Sequence, residues 1–220
     1  MKTAILVDGG FYRYRAYSIW GEKMPEQRAN ELHTYCLKHT KYKNEPKDNL
    51  YRIFYYDCPP IEKKVYHPLL KKQIDLKKES LHSWMNAFLD NLKTKRKVAI
   101  RLGELAEKQA EYGLKYSALK YLANEKKRFQ DLTEEDFSLH LSQKGVDMRI
   151  GLDIASMAYK KQVDRIILIS GDSDFVPAAK LARREGIDFI LDPMRVVIKE
   201  DLMEHIDGIR TFVKNPNKLH

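Results

Sequence analysis

A chain of 220 residues that is 43% hydrophobic and 32% charged can bury one sizeable core, and no apolar run approaches the roughly 20 residues needed to cross a bilayer. The formal net charge of +9 is unevenly spread: residues 61–130 hold 17 Lys/Arg against 8 Asp/Glu, and the remainder holds 23 of each. Cys36 and Cys58 lie far apart with no CxxC or Cys/His spacing, which argues against a disulfide framework and a structural zinc site and makes the cytoplasm the default compartment.

In chain order, Thr3–Val7 is an apolar run ending in Asp8-Gly9-Gly10, which predicts a buried strand and a tight turn rather than a signal peptide. A helix is expected from Phe11 and another over Arg28–Thr40. Leu50–Tyr56, rich in aromatic residues, predicts a second strand stopped by Asp57-Cys58-Pro59-Pro60. The basic stretch Ile61–Leu92 has a mostly helical pattern, and Val98–Leu102 is a third strand. Glu104–Gln130 is expected to be an insertion or an exposed helical hairpin. After a loop at Ser142–Gly145, Val146–Tyr159 carries Ile150, Ile154 and Met157 on one stripe, as a helix does. Arg165–Ser170 is a continuous apolar strand. Gly171-Asp172-Ser173-Asp174 then leads into a helix over Phe175–Arg184, a strand at Ile187–Leu191 and a closing helix at Asp201–Ile209. Apolar strands alternating with helices predict an α/β fold with a mainly parallel sheet covered on both faces. The expected organisation is a single domain over 1–220 with a basic, mostly helical insertion at about 60–130.

Ligands of open α/β sheets bind at the carboxyl ends of the strands. Asp8 and Asp172 follow two predicted strands, Asp174 begins a helix, and Asp147 opens the helix that feeds the Arg165–Ser170 strand. Carboxylates at about 4 Å repel by roughly 4 kcal/mol per pair at an effective dielectric near 20, so a shared edge needs protons, basic partners or a hard cation. Mg²⁺ or Mn²⁺ prefers such oxygen ligands and suits phosphodiester hydrolysis. Each acid also has a plain structural role open to it: Asp8 in a turn, Asp147, Asp172 and Asp174 as helix caps. Asp153, at the margin of the Ile150 stripe, reads as a supporting residue or a member of an ion pair.

Three segments carry a family resemblance: VDGGF (Val7–Phe11), QKGVDMRIGLDIA (Gln143–Ala155) and LISGDSDFVPAAKLARREGI (Leu168–Ile187). They resemble the NYN domain, in its LabA-like branch, among the PIN-like nucleases; residues 60–130 resemble nothing recognised. The resemblance implies a three-layer α/β/α fold and a metal-dependent endoribonuclease that hydrolyses RNA by metal-activated water. It also implies Asp8, Asp147, Asp172 and Asp174 as metal-binding acids, with Ser170 as a nearby polar support. Where many relatives have Asn shortly after the first-strand Asp, this chain has Phe11, which removes a polar ligand. The alternative is a catalytically weak RNA-binding or regulatory protein that keeps the fold.

Tyr12, Arg13 and Arg15 interleave aromatic and basic side chains directly after Asp8, a composition that suits single-stranded RNA, and Lys144 precedes the Asp147 helix where it could meet a phosphate. An ordinary amphipathic helix accounts for the first three equally well. No GxGxxG or GxxxxGK[ST] supports a nucleotide cofactor. A homo-oligomer stays open, and no membrane partner is expected.

Overall fold

The computed structural model describes residues 1–41, 46–106, 109–141 and 143–214. Its first elements are β1 (Lys2–Asp8), α1 (Gly9–Trp20), α2 (Pro25–Lys38) and β2 (Asn49–Asp57). There follow β3 (Lys64–His67), β4 (Lys72–Asp75), α3 (Ser80–Lys93), β5 (Val98–Leu102), β6 (Glu104–Leu105) and β7 (Glu111–Leu114). Next come α4 (Tyr116–Ala123), β8 (Phe137–His140), β9 (Gln143–Lys144) and α5 (Val146–Tyr159). The last elements are β10 (Arg165–Ile169), α6 (Val176–Arg184), β11 (Asp188–Asp192), α7 (Glu200–Glu204) and β12 (Gly208–Ile209). Among the described residues, no helix is long and apolar enough to cross a membrane.

The chain divides into two compact units: Met1–Cys58, Ala87–Gly103 and Gly145–His220 form one, and Pro59–Asn86 with Glu104–Lys144 form the other. The first contains a six-stranded sheet in the order β12-β11-β10-β1-β2-β5, with parallel pairing throughout and helices flanking it. Its two central strands are apolar over Ala4–Val7 and Ile166–Ile169 because both faces are covered there. Ala4–Val7 and Ile166–Ile169 are fully buried, each large side chain contributing roughly 1.5–3 kcal/mol. The amino ends of these strands are tied by ion pairs. Arg165 reaches both Asp48 and Asp188, and Thr3 donates its hydroxyl to Asp48 at 2.7 Å.

The second unit departs from the mostly helical insertion that its lysines suggest. Its strands pair antiparallel as β3-β4, β6-β9 and β7-β8, and among the described residues α4 is the one α-helix that lies wholly inside it. Within Ile61–Leu92 the α-helix begins only at Ser80; Val65 and His67 alternate inward from β3, a period of two in place of the helical pattern expected there. The described residues of Glu104–Gln130 likewise form β6, β7 and α4 rather than a helical hairpin. A small cluster of Ile61, Val65, Leu76 and Ala110 forms its interior.

Two smaller expectations also change. The helix expected at Phe175–Arg184 is preceded by a 3₁₀ turn over Ser173–Phe175. The closing helix is short, because Asp207 accepts from the Phe189 amide and the Arg183 guanidinium (both 2.8 Å), and the chain then adds β12 beside β11. The fold also redistributes charge. The second unit holds 13 Lys/Arg against 11 Asp/Glu, so most of the positive excess belongs to the sheet-bearing unit.

Candidate active site at the switch point of the sheet

From β1 the chain moves outward through β2 to β5; β10 then returns beside β1 and leads outward on the other side through β11 to β12. The crevice between β1 and β10, at their carboxyl ends, is therefore the topological switch point where open sheets bind ligands. Val7 is in register with Ile169, so Asp8 and Ser170 emerge side by side.

Asp8 caps α1, its Oδ1 accepting from the Phe11 amide at 3.0 Å, while its Oδ2 accepts from the Ser170 hydroxyl at 3.2 Å. Burial raises its pKa above the ordinary carboxylate value; these two hydrogen bonds oppose the rise, and the fields of Asp147 and Asp57 add to it. Ser170 is fully buried and also accepts from the Asp172 amide at 3.3 Å. Asp172 in turn accepts from the Asp174 amide at 3.1 Å, fixing the turn. Both structural readings of Asp8 and Asp172 thus hold, and one carboxylate oxygen of each lies outside the capping bond. Asp147 lies in the first turn of α5 but does not cap it; that position is Gly145, at φ +77. Desolvation raises the Asp147 pKa, followed by the fields of Asp172 and then Asp174.

The four acids are thus electrostatically coupled, Asp8 to Asp147 and Asp147 to the Asp172–Asp174 turn. Among the described residues none of the four forms an ion pair with Lys or Arg, unlike Asp57 and Asp153. No three of them bring ligand atoms within 4.8 Å of one another; among the described residues the group that does so is Asp201 and Glu204 of α7 with His205 at its end. The arrangement is an open acidic edge rather than a closed cage. Its donors are all carboxylate oxygens, the hard type that Mg²⁺ and Mn²⁺ prefer, and Mg²⁺ normally keeps several waters beside one or two carboxylates.

Asp153 is held by the Tyr56 hydroxyl at 2.7 Å and by Arg101 Nε at 3.4 Å. Burial, then the Asp153 carboxylate, keeps the Tyr56 phenol far above its ordinary pKa, so it remains a donor. Sequence reasoning passed over Asp57, which ends β2 as Asp8 ends β1. Asp57 is buried and accepts a two-pronged bond from Arg13 (2.9 and 3.0 Å), the Tyr55 hydroxyl (2.7 Å) and the Cys58 amide (2.8 Å). The network presses so closely on α1 that a Cβ at Gly9 would meet Asp57 Oδ2 and Tyr55 Oη at 2.6 Å. Asp192, at the end of β11, is a further buried strand-end acid, bonded by Tyr35 (2.5 Å) and His39 (2.9 Å). The signal was available: the strand-end rule extends to every central strand. Phe11 was noted only as a missing polar ligand; its ring packs on Gly171, where a Cβ would lie 2.8 Å from it, and walls the acidic turn.

The aromatic and basic run after Asp8 largely faces inward. Tyr12 is fully buried with its hydroxyl on Glu31 (3.1 Å), so its ring is closed to bases, and Arg13 is committed to Asp57. Arg15 is half-buried and donates to the Met194 carbonyl at 2.9 Å. Tyr14 and Tyr17 are the exposed rings of this helix, and Lys144 is exposed.

Residues 66–199 match the model of a family described as the NYN domain. That span includes Asp147, Asp172 and Asp174 and leaves Asp8 outside. No curated protein matches the chain. Among solved structures, a protein of unknown function, VPA0982, from Vibrio parahaemolyticus RIMD 2210633 is 16% identical, with 94% of this chain and 90% of that chain covered and a TM-score of 0.46.

Proposed function

The chain belongs to the NYN domain family of PIN-like nucleases, and from that premise we propose that it is a metal-dependent endoribonuclease of the LabA-like branch acting on single-stranded RNA. A cytoplasmic setting, Mg²⁺ or Mn²⁺ as the cation, and one nuclease domain carrying the second unit as an insertion belong to the same reading. The observation that carries it is the coupled set Asp8, Asp147, Asp172 and Asp174 at the switch point, without a Lys or Arg ion pair among the described residues. These four residues would hold the cation. When bound, it would lower the pKa of the attacking water and offset charge on the phosphoryl oxygens. Ser170 positions Asp8 and the Asp172 turn together through its two hydrogen bonds. Asp153, already engaged by Tyr56 and Arg101, supports α5 rather than meeting the substrate.

The decisive test is cleavage of mixed RNA with Mn²⁺ by the parent and by Asp172→Asn. The parent cleaves, and the variant loses about a hundredfold or more in rate, the scale of one major electrostatic contribution. Equal rates would remove Asp172 from the site. Phe11 favours the second reading, a catalytically weak RNA-binding protein, because it stands where the family resemblance has Asn and its apolar ring packs on Gly171. RNA binding that is equal in EDTA and Mn²⁺, with no cleavage in either, selects that reading.

A further inference from the structure

Away from the four acids, α1, α2 and the chain after β12 border a cleft of about 1010 Å³, large enough for a small ligand. Five cationic side chains line it, from Arg15, Lys23, Lys38, Arg195 and Lys214, against one carboxylate, Glu31. Glu31 is already ion-paired with Lys23 and Arg28 and accepts from Tyr12, so the surplus positive charge is not cancelled within the lining. Lys38 and Lys214 form no ion pair among the described residues. Arg15 uses Nη2 on the Met194 carbonyl, while its Nε is buried without a hydrogen-bond partner.

The same cleft has an aromatic part. Trp20 and Phe212 are half-buried, and each packs edge-on against Tyr35, with ring centroids 5.6 and 6.5 Å apart. Tyr35 itself is anchored through its hydroxyl to Asp192, which gives the aromatic cluster a fixed base. Aromatic surface suits a flat heterocycle, and unmatched cations suit a phosphate. The cleft by the end of α6, about 740 Å³, differs on both counts: it has no Trp, Tyr or Phe in its lining, and its Arg183 is paired with Asp207.

We infer that the α1/α2 cleft is a nucleotide site, taking a nucleoside phosphate with its base against Trp20 and Phe212 and its phosphate against Lys38 and Lys214. The ligand is a free mononucleotide or one nucleotide of an RNA strand. The second form rests on the nuclease reading, because Asp8 caps α1 and Trp20 ends it, a helix length of about 18 Å. The first form is independent of it.

The test uses the full chain carrying Asp172→Asn in EDTA, so that cleavage plays no part. Trp84→Phe leaves Trp20 as the single tryptophan. Its fluorescence is followed during titration with AMP, adenosine and a tetra-adenylate. Saturable quenching by AMP or tetra-adenylate is expected, with adenosine weaker by about tenfold, and a Lys38→Ala/Lys214→Ala double variant weakening AMP by about tenfold at an unchanged melting temperature. Tighter binding of tetra-adenylate than of AMP assigns the site to RNA; the reverse assigns it to a free nucleotide. Absence of saturation by either, or equal affinity for AMP and adenosine, overturns the inference. Phosphorus NMR broadening of AMP by the parent chain in EDTA checks the same point without any substitution. A protein that binds AMP but never cleaves RNA keeps this site and loses the nuclease reading, whereas cleavage without quenching does the opposite.

Discussion

The two units of this chain spend charge in different ways. The sheet-bearing unit buries it: Asp57 with Arg13 and Tyr55, Asp192 with His39 and Tyr35, and Asp48 with Arg165 are each matched inside the protein. The second unit keeps charge such as the Lys77–Glu62 pair in solvent and closes on a few small apolar side chains. Exposed pairs of that kind add little stability, whereas removing one partner of a buried pair is costly. At the switch point, by contrast, half-buried Asp8 and the exposed Asp147, Asp172 and Asp174 have no Lys or Arg ion pair among the described residues. The mutual fields of these carboxylates at one sheet edge are what the proposed cation would offset.

Several substitutions would break or sharpen this contrast. The largest stability effect belongs to Asp57→Ala, which strands the Arg13 guanidinium and the Tyr55 hydroxyl: a loss of about 3–5 kcal/mol is expected in a urea or thermal melt. An unchanged melt would mean that the buried network does not hold the sheet-bearing unit. Leu76→Ala should cost about 2 kcal/mol, at the low end for a core leucine, because its cluster is small. Hydrogen exchange should localise the loss to 59–86 and 104–144, leaving β1 and β10 protected; spread into those strands would dissolve the distinction between the units. The smallest effect concerns Asp8. Its folded pKa lies above the ordinary 3.8 because of burial, so its favourable contribution is fully present below 3.8 and is lost as pH rises through the folded value. In EDTA, Asp8→Asn should therefore melt slightly higher than the parent at neutral pH, with the difference vanishing toward pH 3.8. A variant that melts lower at neutral pH would mean that the capping bond outweighs desolvation.

Much of the candidate site was legible because it is written in local signals. VDGG and SGDSD each place an acid directly after an apolar run, and a strand of that kind needs no partner to be recognised. Asp57 was missed because its Pro-Pro successor reads as punctuation, and Tyr12 and Arg13 were misread because alternation of aromatic and basic residues does not say which side of a helix meets the core. The middle segment was hardest: the pattern of Ile61–Leu92 suggests mostly helix, yet the inward alternation of Val65 and His67 in β3 decides for a strand there.

The sequence by itself determined the elements whose apolar pattern is continuous and long. Val98–Leu102 and Val146–Tyr159 have the same bounds in the fold, and β1 and β10 agree to within a residue or so at each end. Only the tertiary structure decided that β1 and β10 are neighbours, that Arg13 faces Asp57 instead of solvent, and that the basic stretch 61–130 is shared between two units. The reason is physical. Side-chain period and backbone preference act between residues a few positions apart, whereas strand partners and the matching of buried charges are settled by contacts between residues as distant as Asp8 and Ser170.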